Sequence, residues 1–255
     1  MGTVGIREIL KLVPFLLSDG GVSPKGKNGW TIYLRNNDLE IINEFRSNVE
    51  KAINRKPSLI KRKDGTFMVR IDSVEFGNLL LNFSPTYRTS KRNRYPACPG
   101  TYGGRCVCKT CETKEENTPA KIPEEIFADM KLAKYFLKVY ASCDGGVSVT
   151  VTKKEKYKFL VRKVFISVTH PKMKSDLIRL LSLLGFRPKG YEGQIRLTSK
   201  EDLEKFRKIG FIEGCKIGKD SKILSGMEKN LVLEKVISSY GDPSELINFL
   251  QNRTA

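Results

Sequence analysis

Two aspartates, Asp19 and Asp144, open the same five-residue string, Asp-Gly-Gly-Val-Ser, 125 residues apart in a chain of 255. The likeness reaches backwards as well: Leu12-Val13-Pro14-Phe15-Leu16-Leu17-Ser18 precedes the first copy and Leu137-Lys138-Val139-Tyr140-Ala141-Ser142-Cys143 the second. An acid at the end of an apolar helix sits where free carbonyls and the negative end of the helix dipole already favour a cation. Two such acids brought together repel each other and raise one pKa unless positive charge lies between them. Mg²⁺ supplies that charge, and paired divalent ions clamp the attacking and departing oxygens of a phosphodiester. Gly20 and Gly145 let the backbone turn sharply behind each acid and approach a ligand closely. A lone Asp-Gly-Gly is a common helix end or turn; duplication at about half the chain length turns it into a candidate metal site.

What must position the two acids is visible in the stretches that follow them. After Asp19 come a basic hairpin over residues 22–35, with Pro24, Gly26 and Gly29 at its turn, and a helix with apolar Leu39, Ile41, Ile42, Phe45 and Val49. A strand pair then turns around Lys63-Asp64-Gly65. After Asp144 the order recurs: strands over 147–152 and 159–169, a helix over 177–184, a hairpin over 187–197 turning near Lys189-Gly190-Tyr191, and a helix over 201–209. Each half therefore reads as αββαββα, a duplicated α+β domain with antiparallel sheets. The divisions expected are 1–95 for the first half, 96–130 for a Cys-containing linker and 131–255 for the second half.

Charge narrows the partner. With 46 Lys and Arg against 28 Asp and Glu, the net charge of +18 favours a polyanion. No run approaches the roughly 18 apolar residues of a membrane span, so nucleic acid leads. The strands carry Lys25, Lys27, Arg35, Lys61, Arg62, Lys63 and Arg70 in the first half. The second supplies Lys153, Lys154, Lys156, Lys158, Arg162, Lys163, Arg187, Lys189 and Arg196. Basic and apolar residues alternate in several strands, so one face of a sheet can enter the core while the other meets phosphates. For any one of these lysines a solvated surface is the bland alternative. The start of the chain lacks the features of a secretory signal, which places the protein in the cytoplasm. Only Gln194 and Gln251 represent glutamine, a bias that fits a thermophile.

The paired segments resemble the signature of the LAGLIDADG homing endonucleases of the two-motif, single-chain type, with an archaeal source expected. The likeness runs along both halves and includes residues 118–126, which look like the linker entering the second motif helix. It implies two motif helices packed side by side, two sheets forming a saddle over the DNA major groove, and Asp19 and Asp144 meeting at the centre. Two or three Mg²⁺ or other divalent ions would be held there by Asp19 and Asp144 with Gly20 and Gly145. The family also implies polar and basic residues around the metals: His170 and Lys216 (with Lys219 as a substitute) in the second half, matched by Asn36 and Lys91 in the first. A surface histidine beside Pro171 with no role is the other reading of His170. The chain departs from the motif at Pro14, which takes the place of a glycine, and at Lys138 and Val139, which take those of Ala and Gly. The function implied is site-specific hydrolysis of both strands of a long duplex by a monomer. The alternatives are an RNA-splicing maturase or DNA-binding regulator of the same fold that does not cleave, and a general RNA-binding protein. Retention of both aspartates favours the enzyme.

Four of the six cysteines, Cys98, Cys106, Cys108 and Cys111, crowd into a Gly- and Pro-containing stretch between the halves. They fit a structural Zn²⁺, disulfides or free thiols. Cys143 and Cys215, in apolar or turn contexts, read as buried and unreactive.

Overall fold

The computed structural model describes residues 5–26, 29–87, 89, 101–102, 105–106, 120–154, 157–219, 221 and 223–253. Lys27, Lys91, Lys156, Cys98, Cys108 and Cys111, and the side chains of Cys106, Lys153, Lys154 and Lys158, lie outside what is described. The first half runs α1 (Ile6–Leu10), α2 (Val13–Leu17), β1 (Gly20–Lys25), β2 (Gly29–Asn36), α3 (Leu39–Ile53), β3 (Ser58–Lys61), β4 (Phe67–Asp72) and α4 (Val74–Phe83). A short ladder, β5 (Thr101–Tyr102) with β6 (Arg105–Cys106), and α5 (Glu124–Ala128) come between the halves. The second half repeats the order as α6 (Met130–Asp144), β7 (Gly145–Lys154), β8 (Tyr157–Ser167), α7 (Pro171–Leu183), β9 (Lys189–Tyr191), β10 (Gln194–Leu197) and α8 (Lys200–Arg207). It then adds α9 (Lys229–Ser238) and α10 (Ser244–Asn252), which the sequence pattern did not reveal. The two four-stranded sheets have the same order, β1-β2-β4-β3 and β7-β8-β10-β9, all antiparallel. The duplicated α+β architecture is thus the observed one.

Local chemistry sets the element ends. Asp38, Ser73, Asp129 and Ser199 accept backbone N–H groups at the starts of α3, α4, α6 and α8, and α3 stops at Asn54, whose φ of 50° is left-handed. Ile41, Ile42, Phe45, Val49 and Ala52 recur at helical spacing and all face the core. Pro14 has no N–H to give to Leu10, so the first motif helix is divided at Lys11–Leu12 into α1 and α2, with Leu12 N donating to Ile9 O instead. The second hairpin turns at Glu192–Gly193, two residues beyond the expected place, because Gly193 supplies the positive φ of 70° that the turn needs.

α2 and α6 pack at the centre, with Leu12, Phe15, Leu16, Phe136, Leu137 and Tyr140 buried there. Polar contacts join the halves across this seam. Tyr135 Oη donates to Glu44 Oε1 at 2.8 Å and accepts from Asn48 Nδ2 at 2.9 Å. Lys216 N donates to Asp38 Oδ2 at 2.6 Å, and Arg7 pairs with Asp129 at 3.2 Å. No helix among the described residues is long and apolar enough to cross a membrane.

The glycine behind each acid is required by packing. A Cβ on Gly20 would lie 2.7 Å from Tyr33 O and 2.9 Å from Phe15 O; one on Gly145 would lie 2.7 Å from both Ala141 O and Phe165 O. All four neighbours are main-chain atoms that cannot swing aside, so helix and sheet meet only through glycine. Gly145→Ala should therefore lower stability by about 1–3 kcal/mol, measured as a fall in the urea midpoint, whereas Gly218→Ala, where a Cβ meets nothing within 4 Å, should leave the midpoint unchanged.

Candidate functional site

Asp19 sits in the turn that ends α2, and Asp144 is the last residue of α6. Each is followed at once by the first strand of its sheet, so the acids emerge side by side where the helices stop and the sheets begin. Ser18 Oγ donates to Pro14 O and Phe15 O at 2.8 and 3.0 Å, closing the end of α2 without further helical turns.

The immediate partners of the two acids differ. Asp19 Oδ2 accepts from Asn36 Nδ2 at 2.7 Å, and Asn36 Oδ1 in turn accepts from Asp38 N at 2.8 Å. Gly20 pairs with Leu34 in one sheet and Gly145 with Ile166 in the other. Matching those registers makes Val168 the counterpart of Asn36 and His170 the counterpart of Asp38. Val168 is buried and apolar, and has no amide to offer Asp144. The Tyr140 hydroxyl, one helical turn before Asp144, is the polar group that favours the charged form of that acid instead. The matching residue before Asp19 is Phe15. The halves have thus exchanged an amide on the strand for a hydroxyl on the helix.

This register corrects the pairing of Asn36 with His170. His170 caps α7, its Nδ1 accepting from Met173 N at 3.4 Å, as Asp38 caps α3. Burial holds its pKa below the ordinary value, against the pull of Asp176.

Lys229 is the residue the sequence reading missed. It opens α9, is 5% exposed, and sends Nζ to Ser142 O at 2.6 Å and Gly145 O at 2.8 Å. Both acids feel its charge. One signal was available: a lysine at a helix N-terminus opposes the helix dipole, so something else must hold it there. Lys216, named in its place, is exposed and uses its backbone N–H to bind Asp38. Its segment nevertheless supports the site, since Ile212 N donates to Ser142 Oγ at 2.7 Å and Lys229 N to Cys215 O at 2.9 Å. Burial pushes the Cys215 thiol up to about 11 and the Cys143 thiol well above its usual range, in keeping with unreactive roles.

Burial raises the pKa of Asp19, opposed by the Asn36 hydrogen bond and the Lys229 charge. Burial and then the charge of Asp19 push Asp144 up to about 7, against Tyr140 and Lys229. Among the described residues there is no group of three or more His, Cys, Asp or Glu that could hold a metal. The groups that could hold a metal are the two carboxylates; the carbonyl of Gly145 already accepts from Lys229. Such a set fits Mg²⁺, which keeps most of its waters and takes one or two carboxylates plus substrate phosphate oxygens. Repulsion between the acids is what a divalent ion would relieve.

On the sheet faces turned away from the core lie Lys25, Arg35 and Arg70 in the first half and Lys163 and Arg196 in the second. The register also makes Arg196 the counterpart of Arg70. Lys61, Arg62, Lys63 and Lys189 are exposed at the sheet edges. Acids already hold several of these cations: Asp72 accepts from Lys25 at 2.6 Å and from Arg70 at 3.2 Å, and Asp64 binds Arg35. Arg162 is a correction. Its strand position faces inward, where it donates to Ser239 Oγ and O at 2.8 and 2.6 Å and stacks 4.4 Å from the Tyr240 ring. Arg187 is engaged by Ser199 and Glu201 at the start of α8.

No protein-family model and no curated protein matches the chain significantly. Solved structures do. The LAGLIDADG meganuclease I-AabMI bound to uncleaved DNA aligns with a TM-score of 0.61 at 11% identity, over 96% of this chain and 97% of that one. The LAGLIDADG homing endonuclease I-SmaMI bound to cleaved DNA gives 0.59 at 13% identity, over 96% and 95%. I-SmaMI bound to its uncleaved target in the presence of calcium ions gives 0.57 at 12%, over 96% and 97%.

The raised pKa of Asp144 has a sign that can be tested. Its folded pKa of about 7 lies above the ordinary 3.8, so the folded state binds the extra proton between those values and loses stability as pH rises through that window. Asp144→Asn in chelator should accordingly raise Tm, more at pH 8 than at pH 5. A rise of the same size at both pH values, or a fall at pH 8, would show that the carboxylate is not held against a desolvation cost.

Proposed function

We propose that this chain, which has the fold of the LAGLIDADG homing endonucleases, is a metal-dependent endonuclease that acts as a monomer and cuts both strands of a long double-stranded DNA site. The carrying observation is the pair of acids, one from each copy, ending the two central helices within reach of each other's charge. The basic outer faces of the two sheets supply cations for phosphates, and DNA is the partner found with the structural neighbours.

Asp19 and Asp144 would hold the divalent ions, Mg²⁺ by their chemistry. Bound there, such ions would supply Lewis-acid polarisation of the phosphodiester and a lowered pKa for the attacking water. The calcium present with the uncleaved I-SmaMI complex supports divalent-ion use by this architecture. This chain's own groups orient the acids: Asn36 fixes one oxygen of Asp19, and Tyr140 directs its hydroxyl to Asp144. Burial lowers the pKa of Lys229 while Asp38 and Asp19 work to raise it; in its protonated form it would bring a positive charge beside both acids, where negative charge develops as a phosphodiester is attacked. His170 is not needed for this scheme except as the cap that ends the strand-to-helix turn.

The test is cleavage of a plasmid library in Mg²⁺. Asp19→Asn and Asp144→Asn should each slow cleavage by more than about a hundredfold, the upper end of the loss when a mere outer-shell partner of a metal is removed, while duplex binding persists. Wild-type protein that binds duplex DNA without cutting any plasmid would instead identify a non-cleaving relative of the same fold.

The unequal partners add a second expectation. Asn36→Ala should slow one strand and Tyr140→Phe the other, so each variant should accumulate nicked circles with the nick on opposite strands. Equal slowing of both strands by either variant would show that the two acids act as one undivided centre.

A further inference from the structure

The outer face of the second sheet carries an apolar patch on its long hairpin, whereas among the described residues the first sheet exposes large aliphatic side chains on its edge strand β3, at Leu59 and Ile60. β7 and β8 run 10 and 11 residues where β1 and β2 run 6 and 8. Thr150 faces Val161 at the level where the first hairpin ends, and in the added length beyond it Thr152 faces Phe159. Phe159 is 43% and Val161 41% exposed, whereas the inward-facing Val151 and Leu160 are packed against the core. By register, Val161 corresponds to Gly29, the first residue of β2. A half-exposed sheet normally turns polar groups to water, so two large apolar side chains on the solvent face mark a contact surface.

Charge identifies what covers it. Lys163 lies on the same face two residues on from Val161, its Nζ 5.9 Å from the Phe165 ring. Arg196 pairs with Phe165 and stacks 4.0 Å from the ring of Tyr191, itself 40% exposed. An apolar strip bordered by cations suits a duplex: phosphates meet the cations, while the strip meets the one apolar feature of the major groove, the thymine methyl.

The geometry points to Phe159 and Val161 as specificity-determining residues that read thymine methyls in the half of the DNA site that lies under the second sheet. This rests on the DNA-binding function proposed above and adds the kind of sequence sought.

The probe is a duplex library with a long randomised window, selected for binding to the whole protein in Ca²⁺. Selected duplexes should be enriched in thymine at one end, and replacing those thymines by deoxyuridine, which removes only the methyl, should weaken binding about fourfold per contacted methyl. The Phe159→Asn/Val161→Thr double variant should bind thymine and deoxyuridine duplexes equally and lose the enrichment at that end alone. Sequence-specific selection without thymine enrichment, or no response to deoxyuridine, would overturn this inference and leave the DNA-binding reading intact. Failure to select any duplex would remove both. A concentration-dependent dimer abolished by the double variant would assign the strip to self-association and overturn it as well.

Discussion

Two carboxylates drawn partly out of water within reach of each other's charge are the constraint on which the rest of the molecule depends. Left alone they oppose folding, since burial raises both pKa values and Asp19 raises Asp144 further. Their position is enforced from outside. The seam between α2 and α6 is buried, the strands leave the helices through glycines that tolerate no side chain, and Lys229 is pinned to the carbonyls of Ser142 and Gly145. The ammonium offsets part of the repulsion, and a divalent ion would offset the rest. Stability given up at this centre is what a cation bound there would recover.

Duplication explains both what the halves share and where they part. Skeleton features recur: the glycines, the sheet order, the capping residue after the second strand, and the arginine pair Arg70 and Arg196. Side chains that touch the acids do not. Once both copies lie in one chain, each can change alone provided the acid keeps a donor. Asn36 with Phe15 on one side and Tyr140 with Val168 on the other are two solutions to that requirement.

Much of this was legible in the sequence, for identifiable reasons. The repeated Asp-Gly-Gly-Val-Ser located the acids, and hydrophobic periodicity with turn residues located the strands and helices of both halves. What depends on register was less legible. The inward direction of Arg162 is hidden in the sequence because residues 159–161 are apolar on both faces of the strand, which erases the alternation that sets direction. The turn near Lys189 was misplaced because Gly190 and Gly193 both offer a turn, and only the latter takes positive φ. Lys229 was invisible for a different reason: it reaches the site only when residues 211–229 fold back on the end of α6, a contact no local pattern encodes.

The same contrast between shared skeleton and altered surface extends to the two sheet faces. In the first half the outer cations are held by acids. Burial works to raise Asp72, but hydrogen bonds from Lys25, Thr31 and Arg70 prevail and hold it at about 2; hydrogen bonds from Thr66 lead in lowering Asp64. These acids stay ionised, so a phosphate approaching this face must compete for cations that are already oriented, which exchanges one ionic partner for another and leaves binding sensitive to geometry. In the second half the cations rest on aromatic rings, Lys163 on Phe165 and Arg196 on Tyr191, beside an apolar strip. There the ammonium and guanidinium lose no carboxylate on meeting a phosphate, and the neighbouring apolar surface gains from losing water. A single chain thus presents two chemically different surfaces on one repeated frame, which a symmetric pair of identical subunits, bound to read the same chemistry twice, does not do.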